Sequence, residues 1–249
     1  MNRIPEPMLR YRNLVADQFL RGEGIEIGAL DSPLQTRKRE TEVRYLDYQD
    51  NAALRATYPE IDPKSVVRVD LVDDGETMAT VPDESVDFIV ANHFLEHCMD
   101  PTGTLRTHLR KIREKGVLFY SVPDKRSCFD VNRPPTPLRH LLADALDGGR
   151  GTRVEHYAEW ERLVNRTPED QIDQRVEELI RIDYKIHFHV FEMENFRVWV
   201  DSLCQYWLHA DLENLSRNHT ELLLVLRKLP APGASPCSRP GEPPCRPQR

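Results

Sequence analysis

A short apolar strand that runs directly into a glycine constrains the fold more than any other part of the chain. Residues 24–28 read Gly-Ile-Glu-Ile-Gly, with one acidic side chain, Glu26, inside the apolar run. Because Gly28 has no Cβ, the backbone can turn sharply there and leave room for a ligand beside the carboxyl end of the strand. Ala29 and Leu30 stand where a full Gly-x-Gly-x-x-Gly fingerprint has its second glycine, so this segment alone predicts only a strand and a tight turn.

The following segments alternate between strand and helix patterns. Strands are predicted at residues 43–47, 66–70, 86–91 and 117–123, and helices at 8–20, 51–58, 102–115 and 193–208, with Gly116 ending the third of these helices. Residues 208–213 and 221–226 predict a closing antiparallel hairpin. Strands that alternate with helices predict an α/β fold with a mostly parallel sheet and right-handed crossovers.

An acidic residue ends the second predicted strand. Asp47 follows Gly28 by close to the ~20 residues that separate the glycine loop from the ribose-binding acid of a nucleotide-binding sheet. We therefore expect its carboxylate to accept hydrogen bonds from both hydroxyls of a ribose.

A helical insertion is predicted after the fifth strand. Helices at 136–146, 156–165 and 168–182 exceed a simple crossover, and we expect residues 136–182 to form a lid over the substrate. The whole domain is predicted to span residues 1–228. Residues 229–249 contain almost no apolar side chains and are predicted to form a disordered tail.

The charge, hydropathy and cysteine content of the chain exclude several classes of partner and site. The net charge of −7 is spread over interspersed acidic and basic residues, so nucleic acid is an unlikely partner. No apolar run approaches the ~20 residues that span a bilayer, and Pro5 and Pro7 interrupt the position of a signal peptide. We therefore expect a cytoplasmic protein with no membrane contact. The five cysteines include no Cys-x-x-Cys pair, so they predict neither a disulfide framework nor a cysteine zinc site.

Taken together, these segments resemble one known family. The resemblance rests on Glu26-Ile27-Gly28, Asp47, Asp74-Gly75-Glu76, the segment from Pro82 to Phe88, His93-Phe94-Leu95-Glu96-His97, and Gly116-Val117-Leu118. In this order they resemble the class I S-adenosylmethionine-dependent methyltransferases, most closely the small-molecule branch that includes domains found beside glycosyltransferases. The resemblance implies a Rossmann-like, mostly parallel seven-stranded sheet and S-adenosylmethionine as cofactor.

The same resemblance implies roles for individual residues. Glu26, Gly28, Ala29 and Leu30 would lie by the methionine part of the cofactor, Asp47 by the ribose, Asp74 and Gly75 by the adenine edge, and Asn92 with His93 under the sulfonium. The missing second glycine is a departure from the family pattern. It leaves open a scaffold protein that binds the cofactor without turnover.

Four histidines are candidates for a general base. Methyl transfer to a hydroxyl requires removal of the hydroxyl proton, and imidazole has a suitable pKa for this. The candidates are His93, His97, His187 and His189. Residues 186–190 alternate apolar and imidazole side chains, so an extended segment would place His187 and His189 on one face.

The spacing His93-x-x-Glu96-His97 also suggests a metal site. His-x-x-Glu-His is the inverted zinc-protease motif, but that motif needs a long helix, and here it follows directly on a buried strand. It is more similar to the Glu-x-x-Glu-His motif of metal-assisted methyltransferases, with His93 replacing the first Glu. Glu96 and His97 are thus candidate ligands for a divalent ion, with His187 or His189 as a further ligand. A His-ligated metallohydrolase remains an alternative.

The histidines favour an oxygen acceptor, and no Asn-Pro-Pro-Tyr signature of amide-nitrogen methylation follows strand four. We therefore expect O-methylation of a sugar, a glycan end or another small polar acceptor. Glycosyltransferase modules are expected as possible partners.

Overall fold

Seven β-strands form one sheet in the order β3-β2-β1-β4-β5-β7-β6. The computed structural model describes residues 5–231, so the predicted tail beyond residue 231 lies outside the described residues. The strands are β1 (Gly22–Ile27), β2 (Thr41–Asp47), β3 (Leu71–Val72), β4 (Val86–Asn92), β5 (Ile112–Pro123), β6 (Ala210–Asn218) and β7 (Glu221–Lys228). Strands β1 to β5 pair in parallel, whereas β7 is antiparallel to both β5 and β6. The predicted fold class and the closing hairpin are confirmed.

Helices cover both faces of this sheet. They are α1 (Glu6–Phe19), α2 (Asn51–Thr57), α3 (Pro101–Lys111), α4 (Leu138–Asp147), α5 (Arg153–Trp160), α6 (Ile172–Arg181) and α7 (Met193–Tyr206). Side chains along β4 alternate between two cores, as the pleat of a strand requires. Phe88 and Val90 pack with α1, whereas Ile89 and Ala91 pack in the larger core that includes residues of α3 and α7.

The inserted helices α4, α5 and α6 follow β5, as predicted. Tyr157 of α5 and Ile172, Val176 and Leu179 of α6 form a small core with Phe188. This core is separate from the two cores of the sheet. Helices α5 and α6 therefore share a core of their own, whereas Leu141 of α4 packs in the larger core of the sheet. The role of the insertion as a substrate lid stays a prediction.

The third predicted strand is misplaced. Residues 66–70 are not a strand, and β3 is the two-residue bridge that follows them. The amide side chain of Asn51 donates to the carbonyl of Val67 at 2.7 Å and accepts from the amide of Val69 at 2.8 Å. These backbone groups bind the start of α2 instead of a neighbouring strand, so the alternating side chains do not lie in the sheet.

Two further boundaries differ from the prediction. Helix α3 ends at Lys111, and Gly116 lies inside β5, where a Cβ would come 2.7 Å from the carbonyl oxygen of Asp87. The glycine therefore permits a close strand contact and does not cap the helix. Residues 186–190 do not form a β-strand. Among residues 5–231, no helix is both long and apolar enough to span a membrane.

Candidate functional site

The carboxyl ends of β1, β2 and β4 form one edge of the sheet. Strand β1 lies between β2 and β4, so the chain runs from β1 in opposite directions across the sheet, and such a switch point is where open α/β sheets bind ligands. Gly28 follows β1 with φ +64°, and no atom lies within 4 Å of the position that a Cβ would take. Leu30 also has positive φ, whereas Ala29 is buried. The loop thus leaves open space beside Gly28, as its sequence predicts.

Glu26 is a buried carboxyl group beneath this loop. It is 2% exposed, and its two oxygens accept from the amide of Leu34 at 2.9 and 3.1 Å. Burial raises the pKa of Glu26 to about 7, although the Leu34 amide and the charge of Arg12 act to lower it. A carboxyl group with a pKa near 7 at this switch point of the sheet is typical of a functional site.

Asp47 lies at the end of β2 with one oxygen that no protein group satisfies. The residue is 7% exposed, and its Oδ1 is buried without a hydrogen-bond partner. Burial raises its pKa, against hydrogen bonds from the amides of Gln49 and Tyr48 that lower it. Since an unsatisfied buried oxygen is destabilising, a hydroxyl donor from a ligand would satisfy it.

Asp74 and Gly75 follow β3 in a tight turn. The carboxylate of Asp74 is exposed, and its Oδ1 accepts from the amides of Glu76 at 2.7 Å and Thr77 at 3.1 Å. The carbonyl of Gly75 accepts from His108 Nε2 at 2.7 Å. Asp74 therefore shapes the turn, and its predicted contact with an adenine stays a prediction.

Asn92 and His93 end β4 at the same edge. Asn92 Oδ1 accepts from the hydroxyl of Ser121 at 3.0 Å. His93 has φ +53°, an uncommon conformation for a residue with a side chain, and its side chain is 40% exposed. Its Nε2 lies 2.9 Å from Glu221 Oε2. Because a carboxylate can only accept, Nε2 carries the proton and Nδ1 is the basic nitrogen when the ring is neutral.

Glu221 and Arg12 were not predicted as site residues. Arg12 Nε donates to Glu221 Oε1 at 2.6 Å, and both side chains are almost fully buried. Burial alone would raise the pKa of Glu221, but hydrogen bonds from Arg12 and His93 lower it to about 2. The sequence offered one signal for Glu221, because it is an acidic residue at the start of the apolar strand β7. That strand pairs with β5, one of the parallel strands of the sheet.

Glu96, His97 and His187 come together beside this edge. Their ligand atoms all lie within 4.8 Å of one another, and both carboxylate oxygens of the fully buried Glu96 have no hydrogen-bond partner. His97 Nδ1 donates to the carbonyl of Ile186 at 2.9 Å, and His187 Nδ1 donates to Asp130 at 2.6 Å. These bonds leave Nε2 of each ring as the available ligand, an arrangement typical of metal-binding histidines.

The histidine candidates fall into separate environments. Burial lowers the pKa of His97, and this favours the neutral ring that a metal requires. His189 is 1% exposed, and its Nε2 lies 3.2 Å from the carbonyl of Met99 and 3.7 Å from Asp144. His187 and His189 therefore join different clusters, contrary to the expectation that they share one face. His189 is not a member of the ligand group formed by Glu96, His97 and His187.

A comparison with protein families identifies the chain. A family model described as a methyltransferase domain matches residues 12–216. The chain belongs to this methyltransferase family. With its sheet order, it is a class I S-adenosylmethionine-dependent methyltransferase, and S-adenosylmethionine is its cofactor. The open space at Gly28 and the unpartnered oxygen of Asp47 fit such a ligand.

Solved structures are similar to this methyltransferase at low sequence identity, and the one with a TM-score above 0.5 shares its fold. A putative zinc-dependent alcohol dehydrogenase of Rhodobacter sphaeroides is 12% identical, with a TM-score of 0.52 over 91% of each chain. A putative methyltransferase of Methanococcus maripaludis is 11% identical, with a TM-score of 0.47 over 91% of this chain and 86% of the other. An Aquifex aeolicus methyltransferase is 9% identical, with a TM-score of 0.46 over 92% of this chain and 100% of the other. No curated protein matches the sequence.

Proposed function

We propose that this methyltransferase transfers a methyl group to a hydroxyl oxygen of a small polar acceptor such as a sugar or a glycan end. The observation that carries the proposal is the hydrogen bond between His93 and Glu221 at the end of β4. His93 lies next to Asn92 at the predicted sulfonium position. It is also the most exposed of the four candidate bases, so an acceptor can reach it.

The pair His93–Glu221 suits deprotonation of a hydroxyl. When bound, S-adenosylmethionine supplies the methyl group and the leaving group, so the protein has to align the acceptor and remove its proton. Glu221 fixes the His93 ring and its tautomer, and Nδ1 then accepts the hydroxyl proton. Arg12 keeps Glu221 ionised, and the carboxylate stabilises the imidazolium that forms.

A divalent ion at Glu96, His97 and His187 is the second element of the proposal. The buried, unpartnered carboxylate and the two oriented rings form a set of ligands that suits zinc or a similar transition metal. His93 Nδ1 lies 3.7 Å from Glu96 Oε1, so the candidate base and the candidate metal site are adjacent. Such an ion would lower the pKa of an acceptor hydroxyl.

The surroundings of His93 favour a polar acceptor. Asn92 precedes it and is partly exposed, and its side-chain amide can bond the hydroxyl groups of an acceptor, whereas the oxygens of Glu96 and Glu221 are buried. A sugar offers several such hydroxyl groups. The resemblance to domains found beside glycosyltransferases supports the same acceptor class, and a glycosyltransferase module is the partner that we propose.

The test uses S-adenosylmethionine with an isotopically labelled methyl group and a panel of sugars, phenols, amines and peptides. We expect label on a hydroxyl oxygen, lost in His93→Gln and retained in His209→Gln, whose ring is exposed at the start of β6. A parallel assay with a chelator tests the metal. Methyl transfer that persists after complete removal of metal would contradict the proposed divalent ion. Label on nitrogen would contradict the acceptor class. Cofactor binding without transfer to any acceptor would favour a non-catalytic scaffold.

A further inference from the structure

A second cluster of possible metal ligands lies inside the helical insertion, apart from Glu96. His140 and Asp144 are one turn apart on α4, and His156 projects from α5. The Nε2 atoms of His140 and His156 are 3.1 Å apart. Asp144 Oδ2 lies 3.4 Å from His140 Nε2 and 3.8 Å from His156 Nε2. One carboxylate oxygen and two ring nitrogens thus converge on one point.

These separations match the edges of a zinc coordination tetrahedron. Zinc binds imidazole nitrogen and carboxylate oxygen at roughly 2.0–2.2 Å, which places neighbouring ligands about 3.3–3.5 Å apart in a tetrahedron. The three distances in the cluster lie around this value. A change of a few tenths of an ångström brings all three atoms to bonding distance from one ion.

The hydrogen bonds of Asp144 provide independent support. The side chain is fully buried, and its Oδ2 has no hydrogen-bond partner. Its Oδ1 accepts from the hydroxyl of Thr152, so the carboxylate is held with Oδ2 directed at the two rings. An unsatisfied buried carboxylate oxygen is destabilising, and a cation would satisfy it. Hydrogen bonding to the other oxygen is the usual support of a ligating carboxylate.

We propose that His140, Asp144 and His156 bind a zinc ion that joins α4 to α5 and stabilises the insertion. His189 lies beside the cluster, but its Nε2 contacts the carbonyl of Met99 at 3.2 Å. That nitrogen is therefore protonated in the structure and is not a ligand. The ion acts as a structural link between two helices and takes no part in methyl transfer.

The experiment measures zinc in the double variant Glu96→Gln/His97→Gln, in which the candidate metal site at Glu96 is disrupted. After removal of metal and reconstitution with zinc alone, we expect one equivalent per chain. Adding His156→Ala should remove it, whereas adding His209→Ala, the exposed control, should not. Thr152→Val removes only the hydroxyl that holds Asp144 and should weaken zinc binding roughly 10- to 100-fold.

A second measurement does not depend on variants that fold. Hydrogen exchange of the wild-type protein with and without zinc should show protection within residues 138–160, which contain all three ligands. As a third measurement, X-ray absorption of the zinc-loaded double variant should show only nitrogen and oxygen around zinc. Zinc content unaffected by His156→Ala, sulfur around the ion, or no protection within 138–160 would overturn the proposal. Sulfur would assign the metal to the group that contains Cys128 instead.

Discussion

Replacing Glu26 with glutamine should stabilise the ligand-free methyltransferase at neutral pH and weaken its binding of S-adenosylmethionine. The carboxyl group is buried beneath the glycine loop, where burial raises its pKa from 4.5 to about 7. Glutamine has nearly the same shape, and its amide oxygen can still accept from the amide of Leu34. The substitution therefore removes the buried charge and keeps the hydrogen bond.

The raised pKa of Glu26 sets the size and the sign of the effect. Each pKa unit corresponds to about 1.4 kcal/mol, so a pKa near 7 in the folded state destabilises the ionised form by roughly 3 kcal/mol. Between pH 4.5 and 7 the folded protein binds more protons at Glu26 than the unfolded chain does. Its contribution to stability is therefore lost as pH rises through this window, and the loss is complete above pH 7.

Urea unfolding between pH 4.5 and 8.5 measures how the free energy of unfolding depends on pH. Relative to wild type, Glu26→Gln should gain stability steadily with pH, by roughly 3 kcal/mol at pH 8. Glu42→Gln, an exposed substitution on the neighbouring strand β2, should show no such gain. Calorimetry should show weaker cofactor binding by Glu26→Gln, because the methionine part of the cofactor carries a cationic ammonium group. Identical pH profiles of stability for Glu26→Gln and wild type would refute the reasoning.

Asp47→Ala removes the carboxylate expected to bind the ribose hydroxyls, and calorimetric titration with S-adenosylhomocysteine should show a loss of affinity of at least roughly tenfold; unchanged affinity would contradict the assignment. Burial lowers the pKa of His108 to about 4, so its neutral ring contributes stability that is complete above pH 6.5 and lost as pH falls toward 4. Urea unfolding should show a loss of roughly 3 kcal/mol over that window, and a flatter profile in His108→Gln. Gly75→Ala would place a Cβ 2.8 Å from Ile27 Cγ2 and 2.9 Å from the Phe94 ring, so it should reduce stability by roughly 1–3 kcal/mol in the same assay; an unchanged midpoint would show that these side chains move freely.

The parts of the site that the sequence predicts are those set by one strand and the turn that follows it. Gly28 follows a parallel strand, Asp47 and Asn92 each end one, and parallel strands of one sheet end at one edge. The apolar pattern of the strands was therefore enough to bring them together. Local periodicity failed at residues 66–70 because it cannot detect the Asn51 side chain that binds their backbone.

Partners that come from distant segments could not be predicted in this way. His93 and Glu221 are 128 residues apart, and their contact depends on β7 entering the sheet antiparallel beside β5. The sequence shows that β7 begins with an acidic residue, but the pairing register of Pro123 with Glu221 determines which side chain that acid reaches. Register in turn follows from packing of the apolar side chains on both faces of β7, a property of the assembled core.

The positions of the two histidines in residues 186–190 also could not be predicted from the local sequence. Alternation predicts a shared face only if the segment is a regular strand, and a strand needs a partner for its backbone. Here the amides of Phe188 and His189 both donate to the carbonyl of Glu96, and Val190 donates to the hydroxyl of Thr136. This segment is bound by loops and not by a neighbouring strand, so the two rings are free to turn apart. His187 thus joins Glu96 and His189 joins the insertion, and the two candidate metal clusters are linked by one short segment of chain.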